Sequence, residues 1–241
     1  GLLPVVASTP LINILATRVL HYGKESYYFS SFSKKKAVLI ANGYNVKSVD
    51  ANVEKVWKKG GEIKILAVAA VASWHGFDRV IKGLASYANC PANPKVTFSI
   101  VGDGPELENL KNLVTEFELE AVVNFLGIQQ GAALQKLYDT HHIGVGTIGG
   151  FRKNIDSASD LKSREYASAG LPIISSMKDV DFPQNLSFFH MIENSDKELD
   201  IKEVVSFYSN LYSPELTKEV RQYAENVVSY DNKVMEMIDK C

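Results

Sequence analysis

The sequence predicts an α/β fold, a Rossmann-like parallel sheet with helices on both faces. From Ile63 onward, short apolar runs rich in Val and Ile alternate with helical patterns, a strand-then-helix unit recurring every roughly 20 to 35 residues, as right-handed βαβ crossovers require. The run Leu171 to Ile174 is continuously apolar, which suits a strand covered on both faces. With 241 residues, 46% hydrophobic and 22% charged, the chain can build a real core as one large domain or two modest ones.

In order, IKILAVA (63–69) predicts a strand and HGFDRVIKGLASYA (75–88) a helix; KVTFSIVG (95–102) and PELENLKNLVTEF (105–117) repeat the pair. AVVNFLG (121–127) and GAALQKLYDT (131–140) form the third unit, HIGVGTI (142–148) and LKSREYASAG (161–170) the fourth. LPIISS (171–176) and SFFHMI (187–192) predict two more strands. Residues 197–212, 213–228 and 230–240 read as helices, the second opened by Ser213 and Pro214 as N-cap and first helical residue.

The opening differs. GLLPVVAST (1–9) reads as a strand, Thr9-Pro10 as the start of a helix over 11–23, YYFSSFSKKK (27–36) has no period, and AVLIANGYN (37–45) reads as a strand ending in an Asn-Gly turn. One strand and one helix cannot enclose a core. Residues 1–36 are therefore expected to be the remnant of a preceding domain or a linker, 37–225 the Rossmann-like domain, and 226–241 a closing helix. Gly1 in place of Met reads as a piece of something longer.

A formal net charge of −2, with no basic face, argues against nucleic acid as a partner. Cys90 and Cys241 lie far apart without metal-ligand spacing, so neither a zinc site nor a disulfide framework is expected, and a reducing, cytoplasmic setting fits. No apolar run approaches the ~18 residues that cross a bilayer.

Ligands of such sheets bind beyond the carboxyl ends of the strands, so the candidate residues are those just after each strand. In VGDGPELENL (101–110), Gly102 and Gly104 read either as a tight strand-to-helix turn or as a place beside a nucleotide. In ASWHGFDRVI (72–81), His75 and Gly76 open a helix where a phosphate could meet imidazole and backbone N–H groups, while Asp78 and Arg79 read as helix-surface charges. In SDLKSREYASAGLPII (159–174), Asp160 can cap the helix. Lys162 and Arg164 put cations in a first turn that is already partly positive, so either a bound diphosphate makes them welcome or both splay into water. Glu165, one turn in, could accept from a pair of vicinal hydroxyls such as those of a ribose. Arg152 and Lys153, in the glycine-rich stretch 148–159, read as solvated charge or as part of a cover.

These stretches together resemble family 4 (group 1) glycosyltransferases of the GT-B fold, over 42 to about 195. NGYN (42–45) is similar to the hinge that opens the second domain, HGFDRVI to the Lys-Gly-x-Asp-x-Leu-Ile segment, and VGDGPE to the Gly-x-Gly-Pro turn. NFLG is similar to the Phe-Leu-Gly strand end, and EYASAGLPII to the Glu-x-Met-Ala-x-Gly-x-Pro-Val-Ile block. The resemblance implies the C-terminal, donor-binding domain of a retaining glycosyltransferase, taking a UDP- or GDP-sugar for transfer to a polysaccharide or glycolipid acceptor, with most of the N-terminal domain missing and the isolated piece inactive. It implies Glu165 on the ribose, the Leu161 and Lys162 amides on the diphosphate, the loop at Gly127 and Ile128 on the base, and no metal or other cofactor. The full-length protein would work in the cytoplasm, in peripheral contact with the inner face of the membrane. The final helix, 230–240, resembles the segment that braces the absent domain.

The sequence departs from the family pattern in three places. The glutamate expected eight positions before Glu165, touching the donor sugar, is Ser157; the Lys of Lys-Gly is His75, charged only part of the time near neutral pH; and the preceding Arg is Ala69 or Ala70. A degenerate non-catalytic nucleotide-binding or protein-interaction module, or a GT-B nucleotide-sugar epimerase, are the alternatives. NAD-linked chemistry lacks its Gly-x-Gly-x-x-Gly after the first strand.

Overall fold

The computed structural model describes residues 15–21, 36–88 and 94–240. Two short strands near the start, β1 (Val19–His21) and β2 (Ala37–Leu39), pair parallel in a sheet of their own. The main sheet has six parallel strands: β3 (Ile63–Val68), β4 (Val96–Val101), β5 (Val123–Phe125), β6 (Ile143–Val145), β7 (Ile173–Ser175) and β8 (Phe189–Met191). Their spatial order is β5-β4-β3-β6-β7-β8. All six residues of β4 are buried, Thr97 and Ser99 included, as a strand covered on both faces requires.

Crossover helices follow the first four of these strands: α1 (Phe77–Ala88), α2 (Leu107–Glu116), α3 (Gly131–Thr140) and α4 (Leu161–Ser168). β7 and β8 are joined without a helix, after which come α5 (Ile201–Leu211), α6 (Leu216–Tyr223), a π-helical turn (Ala224–Val228) and α7 (Tyr230–Lys240). α1 packs on α2 and α5, whereas α4 packs on β6, β7 and α6. Gly144 lets α4 come close: a Cβ there would overlap the ring of Tyr166. Among the described residues no helix is long and apolar enough to cross a membrane.

The strand order fixes where the site must lie. From β3 the chain winds outward through β4 and β5, then returns to the other side of β3 with β6. The loops after β3 and β6 therefore diverge over opposite faces and leave a crevice between them at their carboxyl ends.

The opening segment corrects the sequence expectation twice. Residues 19–21 are a strand, not the end of a helix: the Val19 N–H donates to the Lys36 carbonyl at 2.9 Å, and the Lys36 ammonium reaches back to the Ala16 carbonyl at 2.8 Å. Pairing with β2 overrides a helical pattern that is weak around Val19. No hydrogen-bonded turn forms at Asn42-Gly43 either. Asn42 spends its polar groups on Ser159, with its N–H on the hydroxyl and its side-chain amide on the carbonyl, both at 2.6 Å. Tyr44 then runs beside the C-terminal segment, giving its N–H to Val228 and accepting from Tyr230. The strand expected over 1–9, the helix start at Thr9-Pro10, most of 27–36, Cys90 and Cys241 lie outside the described residues.

Candidate functional site

The crevice holds a cavity of about 260 Å³. Trp74 and His75 line it from the loop after β3, Thr147 and Lys153 from the loop after β6, Lys162 from α4 and Met177 from beyond β7. The two principal loops are stitched together. The His75 carbonyl accepts from the Ile148 N–H at 3.1 Å, and Gly76, at φ 75°, comes so near Gly149 that a Cβ would sit 2.7 Å from its nitrogen. Glycine at 76 is thus dictated by a left-handed backbone and by a close approach at once.

The charges in the crevice favour an anion. Asp160 caps α4, accepting from the Ser163 N–H at 2.8 Å and from the Thr147 N–H at 3.2 Å. Burial alone would raise its pKa, but Lys162, the Ser163 contacts and Arg164 outweigh this and hold the carboxyl below its usual range. Lys162 donates to the Thr147 hydroxyl at 3.1 Å and stands 3.8 Å from Asp160. Lys153 lies over the Trp74 ring, 3.1 Å from its centroid. His75 adds no charge: burial first, then Lys162 and Lys153, lower its pKa to about 4, with Asp160 opposing. The sequence expectation of a part-time cation is corrected accordingly. Its Nδ1 accepts from the Ala72 N–H at 3.2 Å, leaving Nε2 to carry the proton. Two lysines against one carboxylate leave the crevice positive.

At the start of α4 the N–H groups of Leu161 and Lys162 have no partner among the described residues, and the Leu161 side chain is exposed. One turn on, the Glu165 carboxylate accepts from the Tyr138 hydroxyl at 2.6 Å. Tyr44 faces the same carboxylate; burial, then the Glu165 charge, push its phenol up to about 12. Neither tyrosine is signalled by the sequence, because they reach Glu165 from elements far apart along the chain.

The remaining expected positions divide into two groups. Gly127, at φ 63°, has open space where a side chain would project, and Ile128 beside it is 68% exposed, so this loop is free to face a ligand. Gly102 and Gly104 have a packing reason of their own: a Cβ at either would overlap the backbone of Ala69 or Val71, which pairs there with the loop after β4. Ser157 is bridged to Lys178, parallel strand fashion, at the back of the 148–159 loop.

Three basic residues differ from expectation. Arg79 is no surface charge: it is 2% exposed, and its guanidinium holds the carbonyls of Ile148, Glu193 and Lys197. Arg152 is exposed but not free: it binds Asp78 through two bonds of 2.7 and 2.8 Å and the Ser73 carbonyl at 2.5 Å, tying the loop after β6 to the start of α1. Arg164 is fully buried, its guanidinium held by the protein's own acids and carbonyls. It binds Asp179 at 2.7 and 3.0 Å, Asp181 at 2.9 Å and the Asn42 carbonyl at 2.6 Å, and Asp181 in turn holds Lys233 of α7. The anion that makes Arg164 welcome is the protein's own. Among the described residues no three His, Cys, Asp or Glu side chains converge as a metal site would need.

Strand order and crevice together define the class, a Rossmann-like domain, and its fold is shared with glycosyltransferases. Residues 48–146, under half of the chain, match the family model of the glycosyl transferases group 1, a span that takes in three of the five sequence resemblances and leaves out both NGYN (42–45) and the Glu165 block. The structure is similar to a glycosyltransferase from Rickettsia africae (TM-score 0.71, 14% identity, 97% of this chain and 65% of that one). It is also similar to Anabaena HepE in complex with UDP (0.70, 15%, 98% and 66%) and to sucrose-phosphate synthase from Thermosynechococcus elongatus (0.69, 16%, 99% and 61%). The chain thus spans less than two thirds of the length of each. No curated protein matches it.

Proposed function

We propose that this domain binds the donor of a retaining glycosyltransferase, a UDP- or GDP-sugar whose glycosyl group passes to a polysaccharide or glycolipid acceptor. The observation that carries the reading is the placement of Glu165. A fixed carboxylate stands one turn beyond two unpartnered helix-start N–H groups, beside a positive cavity at the switch point of the sheet. In this reading the Leu161 and Lys162 amides take the diphosphate, with the Lys162 and Lys153 ammonium groups neutralising it, and Glu165 accepts from the ribose diol. The base lies against Gly127 and Ile128. The same N–H groups and lysines stabilise the departing nucleoside diphosphate, which is how such a crevice would lower the barrier to transfer without a metal. The complexes of Anabaena HepE with UDP and with UDP-glucose lend support through a shared fold.

Acceptor contacts would come from a domain outside this chain, so the expected property of the chain itself is donor binding with little turnover. Calorimetric titration with UDP and GDP tests it. Saturable binding of one of them, weakened about tenfold to a hundredfold in Glu165→Ala, is the expected result, since hydrogen bonds to a charged group contribute about 1.5–3 kcal/mol. Unchanged affinity in that variant would remove Glu165 from the reading. A complete lack of nucleotide binding would favour the non-catalytic alternative, for which Ser157, in place of a sugar-binding glutamate, is the supporting feature.

A further inference from the structure

Tyr138 is not part of the crevice. It lies on α3, 2% exposed, with its ring edge-on to Tyr166 and its hydroxyl 2.6 Å from Oε1 of Glu165. The turn that carries it is itself held, because the Lys55 ammonium caps the end of α3 through the carbonyls of Tyr138 (2.8 Å) and His141 (2.7 Å). Burial, then the Glu165 charge, raise the phenol's pKa, so it remains a proton donor throughout the physiological range. A free glutamate samples many rotamers and gives up that freedom whenever it binds. Here the ordering is done in advance. An ionised carboxylate has about four lone-pair sites; Tyr138 takes one and Tyr44 also faces the group, which leaves capacity for two adjacent hydroxyls.

We infer that Tyr138 is a positioning residue, fixing Glu165 from behind so that the site distinguishes a vicinal diol from a sugar that lacks one. The inference rests on the proposed role of Glu165 and goes beyond it by assigning ribose selectivity to a hydroxyl that never touches ligand. It predicts that Tyr138→Phe changes the selectivity and not the general affinity.

The test is calorimetry with UDP and 2′,3′-dideoxy-UDP, or the guanine pair if GDP is the better ligand. Wild type should prefer the ribonucleotide by about tenfold or more, and Tyr138→Phe should bring the ratio to within about threefold by weakening the ribonucleotide alone. In Glu165→Gln the ratio should already be low, with no further change on adding Tyr138→Phe. Lys55→Gln, which leaves the phenol in place but loosens its turn, should lower the ratio part of the way and supplies an arm that survives if Tyr138→Phe does not fold. Equal weakening of both nucleotides in Tyr138→Phe would mean a merely structural role and overturn the inference, as would a retained tenfold ratio in either the Tyr138 or the Lys55 variant. Those outcomes leave Glu165 on the diol, whereas a wild type that does not discriminate removes that reading and the inference with it.

Discussion

Three buried histidines should make this domain lose stability in mild acid. His75 and His142 each use Nδ1 to accept a backbone N–H, from Ala72 at 3.2 Å and from Lys64 at 2.9 Å, so a proton on that nitrogen breaks the bond. His141 sits between the Ser99 hydroxyl and the Leu137 carbonyl. Burial is the first cause in all three, assisted by Lys162 and Lys153 at His75 and by Lys55 and Lys64 at the other two; pKa values fall from 6.5 to about 4, 4 and 3 for His75, His141 and His142. Asp160 at His75, and the Leu137 carbonyl with Glu62 at His141, pull the other way without prevailing. Between these values and 6.5 the unfolded chain binds more protons than the folded one, so stability rises with pH. It is fully present above about pH 6.5 and drains away toward pH 4. At pH 5 each histidine costs about 2 kcal/mol, or about 6 kcal/mol together, against a typical total of about 5–15 kcal/mol for a domain. Urea unfolding followed between about pH 7.5 and 4.5 should show the midpoint falling steadily below pH 6.5. His142→Asn, whose side-chain oxygen can replace Nδ1 as acceptor, should flatten the slope by roughly a third. A midpoint that stays level down to about pH 4.5 would refute the reasoning.

Other substitutions test other parts of the argument. Arg164→Met should cost about 3–5 kcal/mol, read as a large drop in melting temperature, because Asp179 and Asp181 would be left buried without their cation. Gly102→Ala should destabilise the fold by at least about 1–3 kcal/mol through collision with Ala69, whether or not a nucleotide is present; normal stability with lost binding would instead give Gly102 a direct ligand role. Arg152→Ala, at a partly exposed bridge, should cost only about 1 kcal/mol globally while hydrogen exchange over 148–155 accelerates.

The alternation of apolar runs with helical patterns was enough to predict the six strands and seven α-helices described from Ile63 onward, because burial between two helical layers imposes the same demand on every strand. It missed the 3-10 turns at Ser73–His75 and Gly150–Lys153 and the start of α6, which lies at Leu216 with Glu215, not Ser213, as its N-cap. The same reading failed at 19–21, where the deciding partner is β2, not local propensity. Site residues that act through their own backbone neighbourhood, such as Asp160 at its cap or Gly76 at its turn, were legible. Tyr138 and Tyr44 were not, since their meaning arises only when α3 and the 42–45 segment close on α4. Arg79 and Arg164 were misread for a related reason: a lone arginine in a helix reads as surface until the carbonyls or carboxylates that surround it are brought in by distant loops.

The ionic chain from Arg164 through Asp181 to Lys233 ties the tilt of α4 to a side chain on the last helix. Shortening the protein ahead of Lys233 would therefore be felt at Glu165 as well as at the chain's end. A truncation meant to trim an appendage would instead disturb the helix that carries the carboxylate held by Tyr138, and a lysine outside the crevice would make itself felt inside it.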